Sequence, residues 1–249
     1  MRFGGVAHTI EQVETIGSLG LDFAEVRLST AGELINHPDE LLRTARKLGL
    51  TYLVHGPGEK DPRDSRCAEE FFPEEIIHVL GACQALSAPL CTIHFWMDKR
   101  FVPETVFERK REILWEMALK ASQMGVQLCL EILSEPIEHV HPLLTGCSEL
   151  ALTLDIGHAQ LLTDRNRSLD YLEQWPHRIR HVHAHDNRGG SKVEDDLHLP
   201  IGEGSIDFPS VLRALKKAAY SGTVTLEVPH EHLKASVQKF QQLMNSPLE

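Results

Sequence analysis

The sequence is poor in aromatic side chains, short of basic charge, without paired cysteines and without a long apolar run. Aromatic residues make up 6% of the 249, and 25 Lys and Arg stand against 36 Asp and Glu, a formal charge of −11. A chain this acidic repels phosphate backbones on average, which disfavours broad nucleic-acid binding but leaves a local basic groove open. Loops that interleave Arg or Lys with aromatic wedges, as duplex-inserting proteins use, are lacking. Trp96, Lys99 and Arg100 come nearest, and a loop entering a helix accounts for them equally well. The five cysteines (Cys67, Cys83, Cys91, Cys129 and Cys147) form no C-x-x-C pair. That excludes a disulfide framework and a zinc ribbon. No window reaches the ~18 apolar residues of a membrane span. Met1-Arg2-Phe3-Gly4-Gly5 opens no apolar signal region. A cytoplasmic, reduced protein is expected.

What is present is ordinary for a globular chain, at 42% apolar and 24% charged residues. One α/β barrel takes about 250 residues. Fifteen histidines are more than chance supplies. Short β-rich runs alternate with helical spacing eight times. The strands are read at Arg2–Ala7, Phe23–Leu28, Thr51–His55, Leu90–His94, Val126–Leu133, Ala151–Ile156, Ile179–His185 and Thr223–Val228. Helical spacing is clearest in Asp39–Leu48, Phe107–Met124 and Val211–Ala219. Glycines such as Gly49 and Gly125 stand where helices should stop. Strand–helix alternation implies a parallel sheet with right-handed crossovers. Eight units predict an α/β fold closed into a single (β/α)8 TIM barrel over residues 1–249, since no linker divides the chain. The charged segment Gly58–Glu69 reads as a mobile lid or as a solvated surface loop.

Active sites of such barrels form at the C-terminal ends of the strands. There the sequence delivers His55, His94, Glu131, Asp155 with His158 just beyond, His183 and Glu227. Strand side chains alternate between faces. Thr92 and His94 therefore share a face, as do Thr153 and Asp155, Thr225 and Glu227, and His181, His183 and His185. Leu152, Leu154, Val224 and Leu226 take the opposite face and suit packing under outer helices. Carboxylates inside a barrel are costly unless paired or metal-bound. Three of them with several imidazoles point to divalent cations. His8, alone after the first strand, is read as an ordinary hydrogen-bonded residue.

The segments Leu130-Glu131, Leu154-Asp155-Ile156-Gly157-His158-Ala159, His181-Val182-His183-Ala184-His185-Asp186-Asn187, Asp196-Leu197-His198 with Gly202-Glu203-Gly204, and Leu226-Glu227 carry a resemblance. Across nearly its whole length the chain resembles the xylose-isomerase-like superfamily of TIM barrels, which holds sugar and sugar-phosphate isomerases and epimerases and endonuclease IV. The isomerase and epimerase branch implies one divalent metal held by Glu131, Asp155, His183 and Glu227, with His158 a ligand or a substrate contact. The endonuclease IV pattern implies three zinc ions on His55, His94, Glu131, Asp155, His158, His183, Asp196, His198 and Glu227. All nine positions hold a suitable residue, so the motifs fix metal chemistry better than substrate. One to three ions of Zn, Mn, Mg or Co are expected.

Two reactions fit that set. An isomerase or epimerase moves a proton beside a carbonyl of a small sugar or sugar phosphate, with the metal as Lewis acid. Glu131 and Glu227 would then be the catalytic acid and base, and His158 would orient a hydroxyl. A multinuclear phosphodiesterase acting on abasic DNA or another phosphodiester would use Glu131 as a bridging ligand instead. Binding without turnover is a third reading. Trp96 and Arg188 are candidate substrate contacts. Arg188-Gly189-Gly190-Ser191-Lys192 follows the seventh strand, where barrels often hold phosphate, and its amides suit an anion nest. An ordinary flexible loop explains it as well.

Overall fold

The computed structural model describes residues 1–29, 32 and 34–246. Eight strands alternate with eight α-helices: β1 (Arg2–Ala7), α1 (Ile10–Ser18), β2 (Phe23–Arg27), α2 (Pro38–Leu48), β3 (Thr51–Gly58), α3 (Phe72–Leu86), β4 (Leu90–His94) and α4 (Glu104–Gln123). The second half follows as β5 (Gln127–Glu131), α5 (Ile137–Gly146), β6 (Ala151–Asp155), α6 (Ser168–Gln174), β7 (Ile179–Ala184), α7 (Phe208–Lys217), β8 (Thr223–Leu226) and α8 (His230–Asn245). All neighbouring strands are parallel, and β8 pairs with β1. The fold is a (β/α)8 barrel. No helix among the described residues is long and apolar enough to cross a membrane.

Alternation along each strand sorts the side chains into two cores. Outward residues such as Leu152, Leu154, Val182, Val224 and Leu226 are fully buried with Ile113, Leu114, Val211 and Leu212 of the helix layer. Each contributes about 1.5–3 kcal/mol on burial. Inward residues form layers. The floor, at the N-terminal ends, is an apolar plug of Phe23, Leu53, Leu90, Cys129 and Ala151. Gly4 on β1 makes room for it, since a Cβ there would lie 2.4 Å from the Phe23 ring. Above it comes a polar layer in which Thr92 and Thr153 hydroxyls meet at 2.7 Å and His181 reaches Thr223 at 2.6 Å. The charged side chains come last, at the mouth.

Element ends differ from the sequence reading for local reasons. The strand expected to reach Leu133 stops at Glu131, because the Leu133 and Ser134 amides donate to the Glu135 carboxylate. The third strand runs past His55 to Gly58 through an irregularity in its pairing with β4. Gly49 takes the left-handed conformation (φ +71°) that ends α2. The segment read as a lid or a surface loop is tied down at its start. Glu59 accepts from the Trp96 amide at 2.6 Å and from the fully buried Lys110 at 2.7 Å. Its far end, Cys67–Phe71, is a π-helical turn leading into α3.

Candidate metal centre

β5, β6, β7 and β8 deliver Glu131, Asp155, His183 and Glu227 to one point. The His183 Nδ1 lies 3.5 Å from Glu131 Oε2, 3.7 Å from Asp155 Oδ2 and 3.4 Å from Glu227 Oε1. Their side chains are 0–3% exposed. Each also carries a buried atom without a hydrogen-bond partner: Glu131 Oε1, Asp155 Oδ2, His183 Nδ1 and Glu227 Oε2. Buried polar atoms are seldom left unpaired, and each one costs about 1–3 kcal/mol. Donors about 2.1 Å from a single ion sit roughly 3.4 Å apart in a tetrahedron. The chemistry and spacing of this set fit a divalent metal.

The remaining expected residues surround this quartet. His55 Nε2 and His94 Nε2 each stand 2.9 Å from Glu131 Oε2. His158 Nδ1 lies 3.1 Å from Glu131 Oε1 and 3.4 Å from Asp155 Oδ2, and its Nε2 meets Asp196 Oδ2 at 3.0 Å. His198 Nε2 is 3.2 Å from the same Asp196 oxygen. All nine residues proposed as ligands meet in one mouth. Two outer groupings with ligand spacing result, His55–His94–Glu131 and His158–His185–Asp196–His198.

Two local devices bring the distal residues in. The Asp186 carboxylate accepts from the amides of Asn187, Gly202 and Ile206, and its backbone bridges to Leu199. This folds the segment bearing Asp196 and His198 back over the mouth. Gly204 is required there, since a Cβ would lie 2.2 Å from Asp186 Oδ1. At Gly157, between Asp155 and His158, a Cβ would fall 2.0 Å from the His185 ring.

Several contributors escaped the sequence reading. Glu25 on β2 is fully buried, and its oxygens lie 3.1 Å from His183 Nε2 and 3.0 Å from His181 Nε2. The Thr225 hydroxyl also donates to it. A carboxylate on one ring nitrogen fixes the tautomer and aims the other at a metal. His185 Nε2 reaches Asp155 Oδ1 at 3.1 Å, and Arg27 Nη2 reaches Glu227 Oε1 at 3.3 Å. The available signal was parity, since Phe23, Glu25 and Arg27 share the inward face of β2.

Burial alone would push the carboxyls of Glu25, Glu131 and Asp155 up. The imidazoles beside them (His183 and His181, His94 and His183, His158 and His185) outweigh it and hold all three well below the usual carboxylate range. His183 and His158 are displaced the other way: burial lowers them, but the surrounding carboxylates carry both well above the ordinary imidazole value. His198 is carried up to about 9 against burial, chiefly by its hydrogen bond to Asp196.

The mouth opens into two cavities. One of about 710 Å³ is lined by His94, Trp96, Phe101, His158 and Asp196, with Arg63 and Lys192 also in its wall. Trp96 stacks on Phe101 with ring centres 5.1 Å apart and donates Nε1–H to Ser134. The other, of about 540 Å³, lies on the β1 side and includes His8, Arg27, His198 and Glu227. His8, read from sequence as a structural residue, is therefore part of the mouth. Arg188 is not: its side chain is exposed and belongs to neither cavity wall. The anion nest expected beside it is filled from within, because the Ser191 and Lys192 amides both donate to Asp195 Oδ2.

Residues 13–246 match the family model described as xylose isomerase-like TIM barrel. The chain belongs to this family. An uncharacterised protein of Methanocaldococcus jannaschii is 44% identical over 78 residues, 31% of this chain and 25% of its own length. An inosose dehydratase of Yersinia enterocolitica is 25% identical over 199 residues, 69% of this chain and 66% of that protein. The chain thus spans a quarter of the first relative and just under two thirds of the second. Among solved structures, a D-tagatose 3-epimerase-like protein superposes with a TM-score of 0.82 at 22% identity, covering 98% of both chains. The zinc-bound IOLI protein does so with 0.79 at 18%, again over 98% of both. At these identities the likeness is one of fold.

Proposed function

We propose that this protein is a divalent-metal-dependent isomerase or epimerase that moves a proton next to the carbonyl of a small sugar or sugar phosphate. One observation carries the reading: three carboxylates at neighbouring strand ends each bring an oxygen within 3.4–3.7 Å of His183 Nδ1, and all four side chains retain a buried atom without a hydrogen-bond partner. Glu131, Asp155, His183 and Glu227 would hold one ion of Zn, Mn, Mg or Co, and the outer groupings offer room for up to two more. When bound, the metal polarises a carbonyl as a Lewis acid. Support comes also from relatives and structural neighbours named for inosose and tagatose chemistry, one of them zinc-bound.

Glu131 and Glu227 flank His183 Nδ1 from different strands, each with a second oxygen available beyond the one facing that nitrogen. In this reading one takes the proton from the carbon beside the carbonyl and is left as the carboxylic acid, while the other, protonated from solvent, delivers a proton in its place. Against burial, the imidazoles beside Glu131, and His183 with Arg27 beside Glu227, keep both carboxyls low. His158 orients a substrate hydroxyl, and Trp96 offers an apolar face to the ring.

A second reading, an endonuclease IV-like multinuclear phosphodiesterase, is favoured by the two outer groupings. The charge of −11 argues against a duplex substrate. Incubation with a sugar panel in deuterated water separates the two. Deuterium at the carbon next to the carbonyl supports the isomerase. No incorporation on any sugar, with cleavage of abasic-site DNA, would transfer the assignment.

A further inference from the structure

The 540 Å³ cavity on the β1 side of the mouth has a charge pattern that a neutral sugar does not need. Arg27 enters it from the end of β2, His8 from the loop after β1, His198 from the folded-back segment and His230 from the start of α8. Among the described residues Glu227 and Glu231 are the acidic groups in its wall; Glu227 is already committed to the quartet, while Glu231 is exposed on the first turn of α8. We propose that this cavity is an anion subsite, in which Arg27 and His8 receive a phosphate or carboxylate group of the substrate. The proposal rests on the sugar reading above and specifies the substrate as a charged sugar.

Arg27 is the centre of the argument. Its side chain is 31% exposed, and its one hydrogen bond among the described residues runs to Glu227 Oε1 at 3.3 Å. A guanidinium offers five donors in a planar fork suited to carboxylate and phosphate oxygens. Among the described residues, one contact with Glu227 leaves most of that fork for a ligand. The same contact fixes the distance, because Glu227 Oε1 is 3.4 Å from His183 Nδ1. An anionic group on Arg27 therefore sits within one small sugar of the proposed proton transfer.

Other features agree. α8 starts after Pro229 without a side-chain cap, and His230 and Glu231 of its first turn line the cavity. The His230 Nε2–H donates to the Val6 carbonyl at 2.8 Å, which pins that ring in the wall. Burial first, and then the Arg27 charge, hold His8 below the ordinary imidazole range, with Glu227 opposing them. The competing position at residues 188–192 has its amides satisfied by Asp195. Arg63 and Lys192, in the wall of the larger cavity, are both exposed.

Calorimetric titration of inorganic phosphate and of acetate into the metal-loaded protein tests the subsite, with metal content checked for every variant. The wild type is expected to bind at least one of the two. Arg27→Gln should weaken that binding at least about tenfold, the loss of a charge-assisted contact. His8→Gln, which touches no proposed ligand, should weaken it about threefold or more and decides the matter if Arg27→Gln loses metal. Arg63→Gln and Lys192→Gln should match the wild type. Tighter phosphate identifies a phosphate monoester, and tighter acetate a sugar acid. Binding of neither anion, His8→Gln and Arg27→Gln equal to wild type, or an equal loss in Lys192→Gln would overturn the subsite. A failed deuterium experiment would remove the isomerase reading and leave this result standing.

Discussion

The floor and the mouth of this barrel are built from the same strands and obey opposite rules. At the floor, Phe23, Leu53, Leu90, Cys129 and Ala151 close the barrel with apolar volume. Burial pushes the Cys129 thiol far above its usual range, so it behaves there as a small neutral hydrophobe. Two residues further along β5, Glu131 is equally buried and is held well below the carboxylate range by the imidazoles beside it. One end gains stability by excluding charge, and the other holds charge at the expense of unpaired atoms. The unpaired atoms of Glu131, Asp155, His183 and Glu227 all lie at the mouth. A fold under selection for stability alone has no use for such an end.

Substitutions at the two ends should therefore separate binding from stability. The largest effect is expected from Asp155→Ala, which removes one member of the quartet and takes from His185 its nearest carboxylate. Metal retention should be lost outright, read by elemental analysis after dialysis; undiminished metal would break the assignment. Phe23→Ala, at the floor, should cost about 3–5 kcal/mol of stability in denaturant unfolding. Its metal affinity should stay that of the wild type, and a loss of metal there would mean the two ends are not independent. Glu131→Gln or Glu227→Gln keeps an oxygen but removes a titrating group. Turnover should fall at least about 10²-fold, with the protein still folded. Glu25→Gln is the subtlest, since within the quartet Glu25 touches only His183, at the ring nitrogen turned away from the other three. Metal affinity should drop about 10–100-fold, the usual cost of losing such a partner, with the unfolding midpoint of the metal-free protein changed far less.

Much of the mouth was legible in the sequence, for a physical reason. A barrel delivers its chemistry at strand ends, and strand parity can be counted, so His94, Glu131, Asp155, His183 and Glu227 could be placed before any coordinates. The D-x-H spacing of Asp196 and His198 was visible, but the carboxylate that folds it back, Asp186, acts through backbone amides up to twenty residues away. Glu25 and Arg27 stayed hidden because their partners, His183 and Glu227, lie some 160 to 200 residues along the chain. Counting parity along β2 would have placed them inward, yet nothing local named the partner. The loop at residues 188–192 misled in the opposite sense. Its glycines suggested an anion nest, and Asp195, only three residues past Lys192, supplies the anion itself.

The central claim is that the unpaired atoms at the mouth exist to hold a divalent metal, and thermal unfolding tests it most directly. Chelator-treated protein is compared with the same protein in excess zinc or manganese. A ligand at about 100 times its dissociation constant stabilises the folded state by about 2.7 kcal/mol. For a chain of this size that is a rise of roughly 5–10 °C in the midpoint. The account predicts that rise in the wild type and none in Asp155→Ala. A midpoint that no divalent metal moves in the wild type would contradict it.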